Sequence, residues 1–164
     1  MRILGIDPGL AIVGYGVIEK TQRGIEFVDC GVINTPKTES MPVRLAQIDG
    51  EMAQLIKEYA PDEIAVEELF FSKNVTTALP VAHARGVILL NAVLNCGQIF
   101  EYTPMQVKQA LTGTGAADKK QVQYMVRSIL RLKEAPQPDD AADALAVAIC
   151  HAHTARFSER NRIL

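Results

Sequence analysis

Cysteine is scarce in this sequence and has no obvious partner. Its three cysteines, Cys30, Cys96 and Cys150, are odd in number and far apart. That argues against a disulfide framework and against a cysteine-based zinc site, and it suits a reducing cytoplasm. No apolar run approaches the roughly 18 residues of a membrane span. The first apolar stretch is broken by Asp7 and is too short for a signal peptide. Repeats, low-complexity tracts and long linkers are absent as well. Hydrophobic residues make up 48% and charged residues 22% of 164 positions, a mixture that fits neither disorder nor a coiled coil. The length suits one domain able to bury a single core unaided. We place that domain at residues 1–153 and read 154–164 as a ragged C-terminal tail without a motif.

The chain is not a polycation either, since its net charge is −2. Divided along its length, however, the charge is uneven. Residues 1–72 carry 6 basic and 12 acidic side chains, residues 73–133 carry 8 and 2, and residues 134–164 carry 3 and 5. A positive middle block suits an enzyme that grips a polyanion with one part and holds cations with another. From charge alone, a chance fluctuation on a solvated surface remains open.

Arg2–Ile6, Val13–Ile18 and Ile25–Ile33 read as strands joined by short turns, and therefore as an antiparallel meander. Helical spacing then sets in from Pro42 to about Tyr59. Glu63–Val66 is a short strand, 78–96 a long apolar helix starting near Pro80, and Gln98–Thr103 a fifth strand. Helices follow from Pro104 to Leu111, Lys119 to Leu132 and Asp139 to His153. Three strands, then helices alternating with two more, predict an α/β fold: a five-stranded mixed sheet covered by helices.

The chemistry lies in carboxylates. Asp7 and Glu67 each end an apolar strand. Taken singly, each is an ordinary strand-end acid. If the two strands are parallel neighbours, both emerge at the sheet edge where open α/β sheets bind ligands. Asp140 and Asp143 are three apart at the head of the last helix and share a face that continues through Val147 and Cys150. Asp139 fits a plain role as a cap or dipole partner. The other two point coreward, where an unpartnered carboxylate is costly and a metal would satisfy it. Four acids without a nearby His or Cys select Mg²⁺ or Mn²⁺ over zinc. A pair of such ions is the usual device for in-line attack on a phosphodiester. His83, His151 and His153 are expected at the surface or as plain helix residues. Gly113-Thr114-Gly115 ahead of Lys119-Lys120 is either a helix-to-helix loop or a helix N-terminus whose N–H groups meet a phosphate.

Taken in order, these segments resemble RuvC-type Holliday-junction resolvases. The resemblance is carried by Gly5-Ile6-Asp7-Pro8-Gly9-Leu10 with Gly14-Tyr15-Gly16, by Ala65-Val66-Glu67 with Phe70, by Ala84-Arg85-Gly86, by Gln106-Val107-Lys108-Gln109, and by Asp140-Ala141-Ala142-Asp143-Ala144-Leu145-Ala146. It implies a ribonuclease H-like fold, a cytoplasmic homodimer, and symmetric metal-dependent nicking of four-way DNA junctions in recombination and repair. It implies Asp7, Glu67, Asp140 and Asp143 as catalytic ligands of two Mg²⁺ ions, for which Mn²⁺ can stand in. Glu68 and Asp139 receive no role. The resemblance also puts Phe70, Lys108 and Lys119 on the DNA, with Phe70 stacking on a base of the opened junction. Lys73, in the polar stretch after Phe70, and Lys120, beside Lys119, are expected DNA contacts from their place in the sequence. The branch-migration proteins RuvA and RuvB are implied as partners. Two alternatives stay open: a nuclease of the same fold that acts on structured RNA, and, less well supported, a sugar kinase-like ATPase module. The second would need a duplicated fold and a further phosphate loop, for which the chain is too short.

Overall fold

The computed structural model describes residues 1–69, 75–154 and 160–164. Strands β1 (Arg2–Asp7), β2 (Ile12–Thr21) and β3 (Gly24–Asn34) form the antiparallel meander. β4 (Glu63–Glu67) then lies parallel to β1, and β5 (Ile99–Tyr102) parallel to β4. The sheet order is β3-β2-β1-β4-β5, so β1 occupies the centre with β4 beside it. The helices are α1 (Met41–Tyr59), α2 (Val75–Asn95), α3 (Pro104–Thr112), α4 (Lys119–Ile129) and α5 (Asp139–Thr154).

Strand alternation sorts the side chains into two layers. Leu4, Ile6, Ile64 and Val66 face α1 and α2, where Ile48, Met52, Ala84, Ile88 and Ala92 complete one buried cluster. Ile3 and Ala65 face the other way, onto α5 backed by α3 and α4. α5 is buried on almost every side, from Ala141 to Ala152. Its alanine-rich surface lets it lie close to the sheet. A Cβ on Gly5 would meet the Ala144 carbonyl oxygen at 2.2 Å, and one on Gly14 the Asp140 carbonyl oxygen at 2.1 Å. Glycine in these two strands is what a close backbone approach demands.

Three details depart from expectation. α2 starts at Val75, so Pro80 lies inside the helix, where its missing N–H forfeits a helical hydrogen bond. By length and composition Ala78–Asn95 is also apolar enough to cross a bilayer, since mean hydropathy tolerates scattered polar residues. Here Ala84, Ile88 and Ala92 are buried in the core, and Asn91 donates to the Asp49 carbonyl oxygen on α1 at 2.9 Å. The end of the tail is not ragged. Glu101 N–H donates to the Asn161 carbonyl at 2.8 Å and Ile163 N–H to the Ile99 carbonyl at 2.9 Å. Sheet edges carry free backbone groups, and β5 finds partners for its own here.

Candidate active site

Period 2 places Asp7 on the same face as Ile3 and Gly5, and Glu67 on the same face as Ala65; both acids therefore turn toward α5. Because β1 and β4 are parallel, with Ile6 beside Val66, the two acids end neighbouring strands at one edge. Gly14 stands opposite Asp7 in the ladder and abuts the backbone of Asp140. The head of α5 is thereby seated over Asp7. The structure sets Asp143, Asp140 and Glu67 near enough to act on Asp7, and Asp7 and Asp143 near enough to act on Glu67.

Burial pushes the Asp7 carboxyl up from the usual range, and Asp143 and Asp140 push it further. Burial likewise raises Glu67, with Asp7 and then Asp143 adding to it. Asp7 and Glu67 also act on each other, so the two acids titrate as a pair. Asp143 is raised by burial and drawn back by Lys119, whose Nζ lies 3.0 Å from Asp143 Oδ2. Glu67, Asp143, Lys108 and Lys119 line one cleft of about 260 Å³, floored by Val107, Val122 and Ala146. Lys119 is exposed at this cleft, and Glu67, Asp143 and Lys108 are half-buried.

Among the described residues no three acidic, imidazole or thiol groups converge tightly enough to cage an ion by themselves. Mg²⁺ needs no all-protein cage, since it keeps waters and takes one or two carboxylates plus substrate phosphate oxygens. The donor set fits it: oxygen only and partly buried, with Asp7 and Glu67 raised by burial and then by their acidic neighbours.

The family model described as crossover junction endodeoxyribonuclease RuvC matches residues 3–151. The chain belongs to the RuvC family. The RuvC of Alkaliphilus oremlandii is 56% identical over 163 residues, 99% of each chain. A Thermus thermophilus RuvC structure superposes with a TM-score of 0.89 at 38% identity, covering 99% of this chain and 98% of that one. A second Thermus thermophilus RuvC structure, in complex with a Holliday junction substrate, gives 0.89 at 35% identity, covering 99% and 100%. The fold is thus the ribonuclease H-like fold of RuvC, and the family's activity is that of an endodeoxyribonuclease.

Other expected site residues are placed less centrally. Lys120 is exposed and lines a separate hollow with Thr112, Thr114 and Tyr124, away from the acids. Phe70 and Lys73 lie outside the described residues. The N-terminus of α4 is capped by its own Asp118, which accepts from Gln121 N–H at 2.9 Å, so the loop reading of Gly113–Gly115 prevails over a phosphate site. His151 is not a surface residue. It is fully buried, with Nδ1 2.7 Å from the Tyr102 hydroxyl and Nε2 2.6 Å from Glu63. The alanine-rich helix around it, buried on every side, was the overlooked signal. His83 and His153 are exposed as expected. Sequence reasoning also missed Gly14 as the seat of α5, although a glycine inside a strand points to close approach.

The raised acids have a consequence for stability without divalent ions. Between the ordinary carboxylate range and their raised values, the folded protein holds protons that the unfolded chain has released. Stability from this source therefore falls as pH rises. His151, lowered by burial, acts in the opposite sense. Subtracting the melting curves of Asp7→Asn from those of the parent, from about pH 5 to about pH 8, isolates the acids. The variant is expected to melt higher at the alkaline end and to lose much of the downward slope. A slope unchanged by the substitution would mean that Asp7 and Glu67 do not titrate as a pair.

Proposed function

We propose that this protein resolves four-way DNA junctions by paired, divalent-metal-dependent nicks, acting as a homodimer in the cytoplasm. The observation that carries this reading is the convergence of strand-end acids Asp7 and Glu67 with helix-head acids Asp140 and Asp143 beside Lys108 and Lys119, in a RuvC-family chain. Support for the substrate comes from the Thermus thermophilus relative, whose structure holds a Holliday junction. Asp7, Glu67, Asp140 and Asp143 would hold two Mg²⁺ ions, with Mn²⁺ as a stand-in. Bound there, the ions would lower the pKa of a water and stabilise the leaving oxygen. The four acids fix where positive charge can gather, and the apolar floor keeps the cleft shaped. Lys108 and Lys119 would hold a phosphate at the cleft. Lys73 and Lys120 would extend the contact along the backbone, and RuvA and RuvB would deliver the substrate.

The decisive assay offers labelled four-way DNA, duplex DNA and structured RNA with Mg²⁺. Symmetric nicks in the four-way DNA alone are expected. Preferential cutting of RNA would turn the reading to an RNA-processing nuclease of the same fold.

The dimer is supported by α2. Leu90 is 56% and Leu94 72% exposed, with Leu79 and Val93 also in solvent, on a helix whose opposite side is core. A contiguous apolar face of this kind marks an interaction surface, and a two-fold partner matches the near two-fold symmetry of a four-way junction. Light scattering at micromolar concentration should give twice the 17.9 kDa chain mass. Leu90→Glu with Leu94→Glu should return it to one chain mass and abolish paired nicking, while nicking at single sites persists. A monomeric parent protein would contradict the dimer.

A further inference from the structure

Lys119 and Gln123 stand one turn apart on α4, and Asp139 and Asp143 stand one turn apart on α5. The two pairs meet across the packed helices. Lys119 Nζ lies 3.0 Å from Asp143 Oδ2 and 3.3 Å from Asp139 Oδ2. Gln123 Nε2 donates to the other Asp139 oxygen, Oδ1, at 2.9 Å. Both Asp139 oxygens are thus engaged by α4, which a mere helix-end acid does not require. The two carboxylates differ in setting: the Asp143 side chain is 29% exposed and belongs to the acid cluster, while that of Asp139 is 52% exposed and stands outside it. Lys119 therefore has an inner and an outer partner.

We infer that Asp139 is a positioning residue, the outer partner that keeps the Lys119 ammonium at the cleft when a divalent cation takes Asp143. This rests on the four-acid metal site proposed above. A cation on Asp143 and the Lys119 ammonium are like charges competing for one carboxylate, and they repel at close range. The flexible lysine stem allows the ammonium to shift. Asp139, oriented by Gln123, offers a carboxylate already in reach, so the lysine leaves Asp143 at little cost and stays beside the incoming phosphate. Without Asp139 the lysine falls onto Asp143 alone and competes with the cation.

Mn²⁺ binding to the DNA-free protein, followed by electron paramagnetic resonance of the free ion, tests this without any cleavage. Asp139→Asn is expected to weaken Mn²⁺ binding by about two- to fivefold, the worth of an exposed ion pair. Asp139→Glu should restore it. A bare loss of nearby negative charge would weaken binding too, so the same substitution is made on Lys119→Met. There Asp139→Asn should change nothing, because the lysine through which it acts is gone. An equal loss in both backgrounds would reduce Asp139 to a long-range charge and overturn the inference; so would no loss in either. Asp143→Asn separates this from the site itself. Mn²⁺ affinity unchanged in that variant would remove the four-acid reading, and this inference with it.

Discussion

Asp7→Asn, Glu67→Gln, Asp140→Asn and Asp143→Asn should each reduce junction cleavage by about a thousandfold or more, with junction binding retained. Each exchange keeps the size of the side chain and removes one anionic ligand. Losing several kcal/mol of metal-borne charge stabilisation corresponds to that factor. Binding should persist if, as proposed, the phosphate contacts come from Lys108 and Lys119 rather than from the acids. Glu68→Gln is the matched control. Glu68 is exposed and follows Glu67 at the strand end, where alternation turns successive side chains to opposite faces. It should cleave normally. Ca²⁺ should support binding without cutting, because its longer and looser coordination misplaces the attacking water. Near-normal cleavage by Asp7→Asn would sink the two-metal reading.

Phe70→Ala is expected to slow cleavage of intact junctions by about one to two orders of magnitude. Phe70 follows Glu67 by three residues in the sequence, and the chain continues Phe71-Ser72-Lys73-Asn74, with polar residues from Ser72 on. Stacking on an unpaired base is worth roughly 1–3 kcal/mol and would offset part of the cost of opening the crossover. Phe70→Tyr and Phe70→Trp keep a π-face and should largely restore the rate. A junction with unpaired bases at its centre should rescue Phe70→Ala, because the opening is already done. If Phe70 were a core residue, the alanine variant would melt lower and no substrate would rescue it. Thermal melting measured beside cleavage of the two junctions decides between the accounts.

Much of the architecture was legible because its signals are local. The acids Asp7 and Glu67 close apolar runs that alternate as strands do, and turn residues separate β1, β2 and β3. Pro104 and Lys119 mark helix starts because proline and the Asp118 cap act within a single turn. The order of motifs was enough to suggest the family. It also suggested the four acids as one set, though nothing local says that residues so far apart in sequence meet.

What the local pattern could not decide depends on contacts between distant segments. His151 read as a surface residue because it and His153, two apart on a helix, point away from each other and so make no common site. It is buried because α5 runs through the middle of the fold and meets Glu63 from β4 and Tyr102 from β5. The docking of residues 160–164 on β5 depends on that strand being an edge, which is a property of sheet order. α2 starts ahead of Pro80, so the preference of proline for first turns misplaced its beginning.

The sequence by itself determined the element types, the two-layer alternation, and the identity of the acids that end β1 and β4, because periodicity and turn chemistry act over a few residues. Only the tertiary structure decided how those acids meet the head of α5. That meeting depends on β4 lying parallel beside β1 and on Gly5 and Gly14 leaving room for a helix backbone. It decided likewise that Lys119 lies between Asp143 and Asp139, since an ammonium finds its carboxylates only when α4 and α5 are packed together.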